Sequence, residues 1–166
     1  RHRRSGRHRR HDRLHGLRAR GVGRGDRRRV EPRLDDPADE AALAAALTAS
    51  GQQAEALSLF EAAVRHAPEG SLQQAEARRD LGLYQFQQRA YGEALTAWTP
   101  AASVFALEHA YAAAARLYVD MAGARKALGQ LARSFKDIDQ ALTLLSHVPA
   151  TDDETRGVVL ANAAAA

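Results

Sequence analysis

The 166-residue chain is 45% apolar, carries a formal charge of +4 and contains no cysteine. These figures allow one ordinary core and exclude a disulfide framework or a thiolate metal site. No apolar run approaches the roughly 20 residues a membrane-spanning helix requires, and the start lacks the apolar segment of a secretory signal, so a cytoplasmic location is expected.

Charge is divided unevenly along the chain. Up to Asp36 there are fourteen Arg against five acids, a balance of +9; from Pro37 onward ten basic residues face fifteen acids, a balance of −5. Residues 1–36 hold apolar side chains only at Leu14, Leu17, Ala19, Val22, Val30 and Leu34. So little burial does not offset the ~1–2 kcal/mol of backbone entropy lost per ordered residue, and this basic segment is expected to be disordered. Clustered guanidiniums can tether a chain to nucleic acid by releasing counterions, although no aromatic residue interleaves with them as a stacking platform. The plainer reading is a solvated linker or an out-of-frame translation of GC-rich upstream sequence. His8, His11 and His15 have a helical metal-ligand spacing, but the surrounding arginines repel a dication, and no metal or cofactor is expected.

From Pro37 the pattern becomes helical. A first helix runs to a turn at Gly51. In the second, Ala56, Leu57, Phe60, Ala63 and Val64 form a stripe of 3.6-residue period that leaves Glu55, Glu61 and Arg65 outside. Pro68-Glu69-Gly70 closes this unit and Ser71 caps the next helix. The second unit turns at Arg89, with Tyr91 and Trp98 read as core; Pro100 lies inside its second helix and is expected to kink or restart it. The third turns at Gly129, with Met121 as a gap filler, and closes at Pro149. Thr151 or Asp152 then caps a helix carrying Leu160-Ala161, the start of a fourth hairpin that reads as cut before its turn. With residue 1 an Arg, the chain reads as a fragment, and the uncovered last helix predicts self-association or fraying.

The units are copies of one another. Gly51, Arg89 and Gly129 lie 38 and 40 residues apart. Eight residues before each turn stand Leu43, Leu81 and Met121, and seven before stand Ala44, Gly82 and Ala122. Five after come Ala56, Ala94 and Ser134; six after, Leu57, Leu95 and Phe135; nine after, Phe60, Trp98 and Ile138; twelve after, Ala63, Ala101 and Ala141. A small residue lets a neighbouring helix approach and a large one fills the groove opposite, so the columns specify helix against helix.

Leu81-Gly82, Ala56 with Phe60, and Pro68 make the region resemble the tetratricopeptide repeat (TPR), with a period longer than the usual 34 residues. The resemblance implies an all-α fold: tandem antiparallel helical hairpins stacked as a right-handed TPR-like solenoid over residues 37–166. Its units are about 37–70, 71–108 and 109–150, with a partial fourth at 151–166, preceded by the disordered Arg-rich segment. It further implies a groove lined by the first helix of each hairpin, which presents Glu76, Arg79, Leu83, Phe86 and Gln87 in unit two and Arg116, Val119 and Lys126 in unit three. Unit one offers only Ala38, Ala41, Ala45 and Thr48. Phe86 and Leu83 also read as packing residues, and Arg79, Arg116 and Lys126 as a solvated face. A terminal-carboxylate clamp needs several asparagines, and Asn162 stands alone.

Catalysis has no motif: there is no phosphate loop, Gly-x-Ser-x-Gly or His-Glu-x-x-His, and Asp137 with Asp139 reads as a polar helix face. The expectation is a non-catalytic protein–protein interaction scaffold that binds a protein, a peptide or another domain of a bacterial signalling or regulatory protein. The alternative is a nucleic-acid-associated protein tethered by the Arg-rich segment.

Overall fold

The computed structural model of the protein describes residues 36–149 and 153–165. The basic segment with His8, His11 and His15, and the caps expected at Thr151 and Asp152, lie outside the described residues.

The described residues form seven α-helices: α1 Pro37–Ala49, α2 Gln53–His66, α3 Leu72–Gln87, α4 Tyr91–Leu107, α5 Tyr111–Ala127, α6 Leu131–Leu145 and α7 Asp153–Ala164. There is no strand among the described residues. Helices α1 and α2, α3 and α4, and α5 and α6 pair as antiparallel hairpins, each stacks on the next, and α7 packs on α5 and α6. Helix α1 also meets α3, and α5 meets α7.

Local chemistry starts and stops these helices. The Asp36 carboxylate accepts from the Ala38 N–H at 2.9 Å with Pro37 in the first turn, and the Ser71 hydroxyl accepts from the Gln74 N–H at 3.0 Å. Within each hairpin the first helix ends on the same left-handed residue: Gly51 at φ 82°, Arg89 at 62° and Gly129 at 73°. The N–H after each reaches back five residues, from Gln52 to Leu47 O, Ala90 to Gln85 O and Gln130 to Arg125 O, at 2.8–2.9 Å. This is the Schellman closure, and it recurs between α4 and α5 at His109, φ 59°.

The sequence columns become layers of contact. Ala63, Ala101 and Ala141 are all fully buried, as are Ala44, Ala56 and Ala94. Opposite the small residues, Phe60, Trp98 and Ile138 fill the interhelical space. Trp98 lies over Gly82, where an added Cβ would overlap the indole, and its Nε1–H donates to the Arg79 carbonyl at 2.9 Å. In the third hairpin a different position bridges the two helices, the Ser134 hydroxyl donating to the Ala122 carbonyl at 2.9 Å. Met121 is buried in the same core.

Three expectations change. Helix α4 runs unbroken through Pro100, whose exposed position leaves the unpaired carbonyl four residues back, at exposed Thr96, open to water. Phe135 does not join Leu57 and Leu95 in the core but stands 56% exposed. Asp137 is not on a solvated face. It is 4% exposed between α5 and α6, and its Oδ1 accepts from Arg125 Nη1 at 2.7 Å, while Oδ2 has no partner. Burial pushes this carboxyl above the usual carboxylate range, a rise that the Arg125 guanidinium opposes.

Candidate functional site

The stacked first helices form a face with two cavities. The larger, about 720 Å³, lies between α1 and α3. One wall is the alanine face of α1, made by Ala38, Ala41, Ala42 and Ala45; Phe60 and Tyr84 form its floor. The opposite wall is polar, with Glu76, Arg79, Asp80 and Gln87 around Leu83, which is 46% exposed. The floor is stiff: the Phe60 and Tyr84 rings lie 5.4 Å apart, and the Tyr84 hydroxyl donates to the Gln53 carbonyl at 2.9 Å. Arg79 pairs with Asp80 at 2.8 Å, so this wall presents a neutralised pair rather than a free cation.

Behind α1, buried Glu40 accepts from Nδ1 of His66 at 2.9 Å and ties α1 to the end of α2. His66 therefore serves as a specific partner for a carboxylate that would otherwise be buried alone.

The smaller cavity, about 260 Å³, is lined by Phe86, by Val119, Asp120, Gly123 and Lys126 of α5, and by residues of α6 and α7 including Asn162. Phe86 packs edge-on to Tyr91, with centroids 5.2 Å apart, and lies 5.8 Å from Trp98, so its ring is fixed by the core. Lys126 Nζ donates to the Ala165 carbonyl at 2.8 Å near the end of α7, where a cation suits the helix dipole. Asp120 makes no hydrogen bond or ion pair among the described residues. The residue is solvent-exposed, yet desolvation by the protein packed around it pushes its carboxyl up to about 6.

The eight residues expected on the groove thus divide. Glu76, Arg79, Leu83 and Gln87 line the larger cavity, while Phe86, Val119 and Lys126 line the smaller. Val119 contributes floor, being buried. Arg116 lines neither: its Nη2 donates to Thr155 Oγ1 at 2.7 Å and lies 3.8 Å from Glu154, anchoring α7. Ala38, Ala41, Ala45 and Thr48, which carry little chemistry, instead create the larger cavity by being short. Sequence reasoning passed over Asp120 and Gly123, although both share a helical face with Arg116 and Lys126.

Fold and site together define an all-helical array of stacked antiparallel hairpins. No protein-family model matches the chain, and no curated protein matches it in sequence. Among solved structures it is similar to the N-terminal domain of stress-induced protein-1 (STI-1) from C. elegans. The TM-score is 0.59 at 15% identity, over 76% of this chain and 93% of that one. At that identity the likeness is one of fold.

Proposed function

We propose that the array is a non-catalytic scaffold that binds an amphipathic helical segment of another protein in the groove between α1 and α3. One observation carries this reading: a cavity of about 720 Å³ with an alanine wall, an aromatic floor and exposed Leu83 on its far side. Short side chains let a guest helix come close, and Leu83 with Phe60 supplies apolar area for its anchors. Glu76, Asp80, Arg79 and Gln87 at the rim suit a guest with polar edges of both signs. The Ala and Arg bias supports a GC-rich bacterial source and the lack of cysteine a cytoplasmic setting, while a signalling or regulatory role rests on the resemblance to tetratricopeptide repeat arrays. With a balance of −5 from Pro37 onward, the helices themselves are poorly suited to a phosphate backbone, which leaves any nucleic-acid tethering to residues 1–36.

The test is hydrogen exchange on the full chain with a helical peptide selected against it by display. Protection should concentrate on α1 and α3, and Ala45→Arg combined with Leu83→Glu should abolish binding while leaving the circular dichroism unchanged. Protection confined to α2, α4 and α6, or retained binding by the double variant, would refute the groove.

A further inference from the structure

Two residues of the smaller cavity answer to nothing in the fold's own packing or ion pairing. Asp120 is a solvent-exposed carboxylate without a partner among the described residues, and the protein packed around it raises its pKa. Gly123, one turn further along α5, is an interior helix glycine, a residue that costs stability relative to alanine. Packing gives no reason for it. A Cβ there would meet only Phe86 Cζ at 3.9 Å, ordinary van der Waals contact, in contrast to Gly82, where the Trp98 indole fills the space. The absent side chain instead opens a notch beside Asp120, bounded by the fixed Phe86 ring, Val119 and Asn162. Lys126 forms no ion pair with Asp120, and its ammonium donates to the Ala165 carbonyl.

We infer that this notch receives a basic side chain of a bound partner, lysine or arginine, with Asp120 as its counter-charge. The aliphatic stem of such a side chain lies along Phe86 and Val119 and crosses the backbone at Gly123, and its cationic head meets the Asp120 carboxylate and the Asn162 amide. This site rests on the reading of the first-helix face as the partner's seat, and it adds a chemical requirement, a cation, that the alanine-walled groove does not impose.

The probe is n-butylguanidinium, titrated into the full ¹⁵N-labelled chain, with butyramide as the neutral control. Saturable shifts should appear at the amides of Asp120, Gly123 and Asn162 with the cation and not with the amide. Asp120→Asn should weaken the affinity about tenfold, the worth of one charge-assisted contact. Gly123→Ala should weaken it too while raising the melting temperature, which separates blockage from misfolding. Unchanged affinity in Asp120→Asn, or shifts spread evenly over exposed acids such as Glu61 and Asp139, would overturn the site. If the notch fails while a displayed peptide still protects α1 and α3, only the cation requirement falls; if both fail, the binding face itself is wrong.

Discussion

The same substitution, glycine to alanine, should have opposite effects at two positions in the array. Gly82 and Gly123 are both helix-interior residues, and each carries the same intrinsic cost of about 0.5–1 kcal/mol relative to alanine. At Gly123 nothing opposes the gain, so Gly123→Ala should stabilise the chain by about that amount. At Gly82 a Cβ would overlap the Trp98 ring, with Cε2 only 2.7 Å away. Trp98 is 1% exposed and held by its bond to the Arg79 carbonyl, so it has nowhere to yield. Overpacking costs ~1–3 kcal/mol, and loss of the indole hydrogen bond adds about 1 kcal/mol. Against the helical gain, Gly82→Ala should therefore destabilise by about 1–3.5 kcal/mol. Urea unfolding followed by tryptophan emission measures both variants, because Trp98 is the chain's sole tryptophan. Emission from folded Gly82→Ala should also shift as the ring is displaced. Equal or favourable effects at both sites, with unchanged emission, would refute small-into-large interlocking as the basis of the stack.

Arg89→Gly should stabilise by about 1 kcal/mol in the same assay, since a non-glycine residue at φ 62° occupies the position that Gly51 and Gly129 fill without strain. Arg125→Ala should cost about 3 kcal/mol by leaving buried Asp137 without its counter-charge, and adding Asp137→Asn should recover part of the loss. Asp120 sets a pH dependence. Its folded carboxyl is raised above the unfolded value, so its favourable contribution is complete below about pH 3.8 and is lost as pH rises through about 6. The stability of Asp120→Asn relative to wild type should accordingly increase from pH 4 to pH 7, measured by urea midpoint at fixed ionic strength; a difference that is flat with pH would remove the case for a crowded carboxyl.

The stack was legible because its determinants are periodic. Ala63, Ala101 and Ala141 recur at fixed distances from a turn, and burial without a cavity permits only a small side chain there, so spacing alone identifies contact. The Arg89 turn was legible for the same reason, since equivalence with Gly51 and Gly129 outweighs the residue's own reluctance toward positive φ. Asp137 was misread because an Asp-x-Asp pair on an amphipathic helix looks solvated, and its partner Arg125 lies on the preceding helix, twelve residues away. Phe135 stands apart from its column because the column fixes direction and not cover: Leu57 and Leu95 pack against buried clusters, whereas Phe135 joins neither and is more than half exposed. On α7, Thr155 and Val159 are buried while Val158 and Leu160 stay exposed, so its apolar surface is divided in the same way.

The site was half legible, for a reason rooted in how concave surfaces are made. A sequence displays side chains that are present, so Glu76, Arg79, Leu83 and Gln87 could be placed on the groove face by helical period. Concavity depends equally on side chains that are short or missing, as in the alanine wall of α1 and the notch at Gly123. In an alanine-rich chain those residues carry no contrast, and the same letter that lets α2 approach α1 at Ala44 hollows the surface at Ala45. What separates them is what a larger side chain would meet: Trp98 at Gly82, open space beyond one distant ring at Gly123. A small residue that packing does not require, next to a carboxylate that no side chain pairs, marks a place the fold's own contacts do not explain, and in this array both occur one turn apart on α5.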